Sequence, residues 1–236
     1  RGLSMDLKQS DFILTNDKLL EIDHKFRGDV LNQFVTSNYV YREDLIYVAG
    51  HKGLVGSAIW RNLESQGYKN LVGVSRSELD LRARSEVFEF FSVNKPKHVI
   101  LAAAKVGGIA ANNANPVNFL SENLQVQLNV MDAALEHNVD RLLFLGSSCI
   151  YPRLAPQPLK EEYLLTGHLE PTNDAYAIAK IAGILQVQSV RKQFNKNWIS
   201  AMPTNLYGIN DNFDLEKSHV LPALLRKIYL GKCLES

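Results

Sequence analysis

A doubly wound α/β fold, in which helices cover both faces of a parallel sheet, is predicted by three observations. Short apolar runs alternate with longer amphipathic stretches over residues 45–230, and parallel strands need such helical crossovers. A glycine-rich turn separates the first run from the first stretch. The composition supplies the core: 46% hydrophobic and 22% charged residues, with only 14 glycines and eight prolines, exclude a disordered, collagen-like or coiled-coil chain.

The elements follow in order. Leu45-Ile46-Tyr47-Val48-Ala49 ends at Gly50 and reads as a strand buried on both faces. A helix is expected over 55–66, with Ile59 and Leu63 four apart and Gly67 as its stop. The second strand spans 71–74, and the next helix, 85–93, is closed by Lys95-Pro96. His98-Val99-Ile100-Leu101-Ala102-Ala103 is the third strand. A long helix over 116–137 carries apolar positions Leu120, Leu124, Leu128, Met131 and Leu135, and the fourth strand is 141–145. A helix over 175–194, a strand over 198–202 and a helix over 220–230 complete the series.

At 236 residues and 26.5 kDa the chain suits one core of about 190 residues plus something incomplete. Residues 1–43 are polar and weakly periodic and are expected to form an appended, partly helical segment, with the domain proper over 44–236. The start at Arg1 and the end at Ser236, just after an apolar helical stretch, suggest a fragment or processed product. Lys plus Arg (26) and Asp plus Glu (25) leave a net charge of +1, which gives no electrostatic reason for a nucleic acid or membrane partner. Two cysteines make no disulfide framework, and neither a signal peptide nor a run of 18 apolar residues is found. A reducing, cytoplasmic location is expected.

Gly50-His51-Lys52-Gly53-Leu54-Val55-Gly56 lies between a strand and a helix. Gly50 would permit the turn, Gly53 the approach of a pyrophosphate, and Gly56 the packing of helix on strand, with the helix N-terminus facing the phosphates. The spacing is G-x-x-G-x-x-G; a plain structural turn is the alternative. Strand two ends in Val74-Ser75-Arg76-Ser77, with no acid to bond a ribose hydroxyl. Arg76, helped by Lys52, therefore points to the 2′-phosphate of NADP, or else is a solvated loop charge. Asp80 could bond the adenine or cap the next helix. Tyr176 and Lys180, four apart on a helix, form a Y-x-x-x-K pair in which the ammonium lowers the phenol pKa and grips a ribose; an amphipathic surface is the alternative. Gly146-Ser147-Ser148-Cys149 emerges from strand four at the edge where open α/β sheets bind ligands.

Several blocks carry a resemblance: Leu101 to Ile109, Phe144 to Pro152, Leu169 to Asn173, Tyr176 to Gly183 and Met202 to Gly208. With the glycine loop they resemble the extended short-chain dehydrogenase/reductase family and, within it, the GDP-L-fucose synthase family, over about residues 45–230. The resemblance implies a Rossmann-type NADP-binding domain and the 3,5-epimerisation and 4-reduction of GDP-4-keto-6-deoxy-D-mannose with NADPH. Tyr176 would be the proton donor, Lys180 its partner and Ser147 the hydroxyl on the reacting oxygen. Cys149 and His219 would exchange protons at C3 and C5, where residue type alone reads a buried thiol and a helix-cap histidine. Leu54, Val55, Leu81, Leu145, Gly146, Ser148, Pro203, Thr204, Asn205, Leu206 and His219 would also line the cofactor site. Asn173, Asn205 and Lys227 would meet the substrate, although a lone Asn reads equally as a cap or turn residue. No metal is implied. A homodimer through the helices at 116–137 and 175–194 is expected, with a truncated substrate lobe. Another nucleotide-sugar epimerase or reductase, or a non-catalytic NADP-binding module, are the alternatives.

Overall fold

The computed structural model describes residues 40–214 and 218–234; the expected appended segment lies outside them except for residues 40–43. The described fold belongs to the unit Arg42–Ser236. Its strands are β1 (Ile46–Ala49), β2 (Leu71–Val72), β3 (His98–Leu101), β4 (Arg141–Leu145) and β5 (Asn197–Ala201). Between and after them come α1 (Leu54–Ser65), α2 (Arg84–Asn94), α3 (Ile109–Ala114), α4 (Pro116–Glu136), α5 (Asp174–Phe194) and α6 (Val220–Leu234).

All pairings are parallel and the order is β2-β1-β3-β4-β5. The chain leaves β1 in one direction to reach β2 and then builds β3 to β5 in the other. Right-handed crossovers therefore place α1 on one face and α2, α4 and α5 on the opposite one, and the order reverses between β1 and β3. Register aligns the exits: Ala49 opposes Leu101, Leu101 opposes Phe144, and Leu145 opposes Ala201. Gly50, Ala102, Gly146 and Met202 thus leave the sheet along one edge.

Alternation along the strands sends Tyr47, Val99, Leu142 and Trp198 to one face. They form the core with Val87 and Phe91 of α2, Val130 and Met131 of α4, and Ile181, Ile184 and Val187 of α5. The other face is less covered: Ile100, Leu143, Leu145 and Ile199 are half-buried.

Most expected elements form, with shifted bounds. β2 ends at Val72; a Cβ on the next residue, Gly73, would stand 2.4 Å from the His51 ring. α3 was not anticipated, since Ile109-Ala110-Ala111-Asn112-Asn113-Ala114 has too few residues to show a period. Of the apolar positions on α4, Met131 is buried, Leu120, Leu124 and Leu135 are half-buried and Leu128 is exposed, while Phe119, Asn123, Gln127 and Val130 face inward. The amides are accepted there because each finds backbone partners. Among the described residues no helix is long and apolar enough to cross a membrane.

Candidate functional site

The glycine loop opens directly from β1. Gly50 adopts φ +85°, a left-handed conformation that side chains disfavour, and a Cβ on it would fall 2.8 Å from the Ala103 nitrogen. At Gly56 a Cβ would lie 2.1 Å from the Gly50 carbonyl oxygen, so α1 can sit this close to the loop only without a side chain. Gly53 differs: its φ is −77°, and a Cβ would meet the Gly50 oxygen at an ordinary 3.4 Å. It closes the turn by donating to that oxygen at 3.0 Å. Leu54 and Val55 follow as the first helical residues, with amides and helix dipole facing the loop, and Lys52 is exposed beside them.

At the end of β2, the Arg76 side chain is 67% exposed and stands 3.6 Å from Glu122. Asp80 neither caps α2, whose N-cap is Ala83, nor points free. The Arg82 guanidinium grips both its oxygens, at 3.0 and 2.6 Å, and those hydrogen bonds hold its carboxyl at a pKa of about 2. Leu81 is half-buried against the core. Glu122 also accepts from Lys105 at 2.7 Å and lies 3.5 Å from Arg82, so one carboxylate of α4 collects cations from the β2 and β3 exits.

β4 leads through Leu145 and buried Gly146 into a 3-10 turn, Ser148–Ile150, which Ser147 caps. The Cys149 thiol donates to the Ser147 hydroxyl at 3.1 Å. Opposite them, Lys180 is 4% exposed and its ammonium donates to the Leu145 carbonyl at 2.8 Å. It sits 4.9 Å from the Phe144 ring centre and 5.7 Å from that of Tyr176. Ser147, Cys149, Tyr176 and Lys180 are thereby brought together from β4 and α5.

Burial, followed by the neighbouring Cys149, pushes the Tyr176 pKa above its ordinary value, against a smaller lowering by Ser147. Burial also lowers Lys180 itself to about 8. The Cys149 thiol is raised, again by burial, with Lys180 opposing. At neutral pH the pocket therefore holds a protonated phenol and a protonated thiol, both able to donate.

Asn173 stands at the N-cap of α5 but makes no capping bond, and its Oδ1 is buried without a partner. Asn205 and Thr204 are exposed, Leu206 is 44% exposed and Pro203 half-buried, all in the loop leaving β5. That loop turns back over the glycine loop: Asn210 donates to the Ser57 hydroxyl of α1 at 3.0 Å, and a Cβ on Gly208 would reach Leu54 at 3.4 Å. His219 is exposed ahead of α6, and among the described residues no hydrogen bond ties it to the thiol. Its neighbour Ser218 abuts the β3 exit, 3.2 Å from where a Gly108 Cβ would stand. Lys227 is exposed on α6. Sequence reasoning did not anticipate Arg82, Lys105, Glu122 or Asn210; the last three work through contacts distant in sequence, and Arg82 reaches Glu122 besides its near neighbour Asp80. The amides at 123 and 127, four apart in a helix, were the available signal for a polar interior.

The geometry fits a dinucleotide: a loop kept open at Gly53, a helix N-terminus behind it, cations at the β2 exit and an orphaned acceptor at Asn173. Comparison with known proteins agrees. Residues 46–236 match the model of the NAD dependent epimerase/dehydratase family. The chain is 61% identical over 187 residues to GDP-L-fucose synthase 1 of Arabidopsis thaliana, covering 79% of this chain and 58% of that protein. A structure of a GDP-mannoheptose C4 reductase from Campylobacter jejuni with NADP bound superposes with a TM-score of 0.76 at 45% identity, over 81% of this chain and 57% of that one. A GDP-L-fucose synthetase from Naegleria fowleri bound to NADP gives 0.76 at 30% identity, over 84% and 65%. The chain thus spans less than two thirds of the length of each.

Proposed function

This chain belongs to the NAD dependent epimerase/dehydratase family, and from that premise we propose that it carries the cofactor-binding half of a cytoplasmic GDP-L-fucose synthase. The reaction is NADPH-dependent 3,5-epimerisation and 4-reduction of GDP-4-keto-6-deoxy-D-mannose. The names of the relatives support the substrate class. The observation that carries the reading is the Cys149 thiol, 3.1 Å from Ser147 in the same pocket as Tyr176 and Lys180. A reductase needs the hydroxyls and the lysine; a carbon-centred proton exchange needs an additional acid or base such as this thiol.

NADPH, when bound, supplies the hydride for C4. The glycine loop and the first turn of α1 hold its pyrophosphate, and Arg76 with Lys52 holds the 2′-phosphate. Asp80 and Leu81 border the adenine, while Leu145, Gly146, Ser148 and the loop Pro203, Thr204, Asn205, Leu206 border the nicotinamide. Lys180 holds the ribose, Ser147 bonds the C4 oxygen, and Tyr176 gives that oxygen its proton. Before reduction, protons on C3 and C5 are acidified by the adjacent ketone. At each carbon in turn, one of Cys149 and His219 would take the proton and the other would return one on the opposite face, and the pair would exchange protons with solvent before the second inversion. Asn173 and Lys227 bind the sugar and the GDP phosphates. A second copy packs on the outer faces of α4 and α5, where Leu128, Ile178 and Leu185 are exposed.

A second reading, reduction of another GDP-keto-sugar, is favoured by the 45% identity to a GDP-mannoheptose C4 reductase. Turnover of GDP-4-keto-6-deoxy-D-mannose with NADPH tests both, on this chain and on one completed with the C-terminal part of a relative. Cofactor oxidation with GDP-L-fucose as product supports the first reading. Reduction without inversion at C3 and C5 supports the second, and NADPH binding with no turnover by either chain rejects both.

A further inference from the structure

We propose that Glu122 is a specificity-determining residue for the cofactor: its carboxylate competes with the 2′-phosphate for the Arg76 guanidinium and so holds down the preference for NADPH over NADH. The inference rests on the assignment of Arg76 to the 2′-phosphate made above and gives a role to a residue which that assignment does not use.

Glu122 lies in the second turn of α4, and its two oxygens are divided among three cations. Oε1 accepts from the Lys105 ammonium, on the loop leaving β3, at 2.7 Å. Oε2 stands 3.5 Å from Nη1 of Arg82 and 3.6 Å from Nη2 of Arg76, both in the segment between β2 and α2. The Lys105 hydrogen bond, joined by the charges of Lys105, Arg82 and Arg76 and opposed by burial, holds the Glu122 carboxyl below its ordinary pKa. The carboxylate is thus ionised at neutral pH.

The three cations are not equally committed. Asp80 occupies Arg82 from the other side, accepting from its Nε at 3.0 Å and from its Nη2 at 2.6 Å, which leaves Nη1 to turn to Glu122. Lys105 makes the shortest of the three contacts with Glu122 and Arg76 the longest. The Arg76 side chain is also 67% exposed, against 17% for Glu122, so it is the cation that a ligand arriving from solvent takes most readily. Its backbone need not move. The Ser75 N–H donates to the Glu78 carboxylate at 2.8 Å, and the Glu78 and Leu79 amides return to the Ser75 carbonyl at 3.0 Å, closing the turn on which Arg76 stands. Passing from Glu122 to a phosphate is therefore a movement of one side chain.

A carboxylate in this place opposes a 2′-phosphate in two ways. It already engages the guanidinium, whose planar fork is best filled by a single bidentate oxyanion. It is also a fixed negative charge beside the position the phosphate would take, and its partial burial weakens the screening of that charge. NADH, with a neutral 2′-hydroxyl, meets neither effect. An exposed ion pair is weak by itself, so the discrimination is a modest factor.

The test uses the whole chain. NADPH, NADH and the fragment 2′,5′-ADP are titrated onto wild type, the isosteric E122Q, R76A and R76A/E122Q, the cofactors by fluorescence and the fragment by calorimetry. E122Q is expected to bind NADPH and 2′,5′-ADP about fivefold more tightly than wild type, and NADH within about twofold of it. In the R76A background the same substitution should improve NADPH binding by no more than about twofold, because the guanidinium for which the anions compete is gone and charge repulsion alone is left. E122M, close in length, carries the test if E122Q does not fold. Weaker NADPH binding by E122Q with NADH unchanged overturns the proposal, since the carboxylate would then hold Arg76 in place for the phosphate. Unchanged affinities, a gain shared equally by NADH, and a gain undiminished without Arg76 overturn it as well. If R76A alone leaves NADPH affinity unchanged, the assignment of Arg76 falls and takes this inference with it. If wild type binds neither cofactor, the cofactor reading itself falls.

Discussion

The ammonium of Lys180 donates to the Leu145 carbonyl across 2.8 Å, joining α5 to the exit of β4 at the point where Ser147 and Cys149 emerge. A buried cation resting on a single carbonyl is costly, and its lowered pKa of about 8 expresses that cost.

The linkage has a definite sign. Lys180 titrates near 8 in the fold and at the ordinary 10.5 when unfolded, so between those values the unfolded chain binds more protons and the lysine's penalty is relieved as pH rises. Below pH 8 the full penalty applies, on the order of 3 kcal/mol. The unfolding free energy of K180M minus that of wild type should therefore shrink between pH 8 and 10 in denaturant titrations. A difference constant with pH would show that the ammonium is not held in a low-dielectric site.

Cys149 and Cys233 should differ in alkylation. Cys233 is exposed on α6, whereas burial raises the Cys149 thiol above its ordinary pKa and leaves little thiolate. Iodoacetamide at pH 8 should label Cys233 first, as read by peptide mass spectrometry. In the completed enzyme C149S should retain reduction and lose epimerisation by about two to four orders of magnitude, followed by solvent deuterium incorporation at C3 and C5.

Two glycines of one loop should respond differently to alanine. At Gly56 the added Cβ would lie 2.1 Å from a backbone oxygen, so G56A should lose about 2 kcal/mol or more of stability. At Gly53, with φ −77° and a 3.4 Å contact, G53A should fold with a wild-type midpoint and lose NADPH affinity if this loop holds the pyrophosphate as proposed. Calorimetry and NADPH titration on the same samples check both.

R76A should raise the Kd for NADPH about tenfold or more while leaving NADH within about twofold, because only the 2′-phosphate offers the guanidinium a doubly charged partner. The 67% exposed side chain and its long contact to Glu122 leave little folding stability at stake. Titration of both cofactors onto the variant measures the ratio.

Much of the frame was legible because it depends on neighbours in sequence. Ile46–Ala49 is a run of buried residues ended by a glycine, and α5 follows a helical period with Tyr176 and Lys180 four apart on it. The apolar positions on α4 did not reveal which side faces the core: Met131 is buried and Leu128 exposed, while the amides of Asn123 and Gln127 turn inward. Backbone acceptors at Phe119 and Ala179 make that burial tolerable.

What the sequence by itself determined is the alternation of strands and helices, the glycine turn and the identity of the groups able to exchange protons or meet phosphate, since these follow from local pattern and residue chemistry. Only the tertiary structure decided which strand lies beside which, that Arg82 grips Asp80 while reaching Glu122, and that Glu122 and Asn123 fasten the loop at Lys105. It also decided that burial raises the Tyr176 phenol. The strand pairings and the loop contacts join groups 17 to 56 positions apart in the chain, where the outcome depends on distance and exclusion of water, quantities that come into being only when the chain has closed on itself.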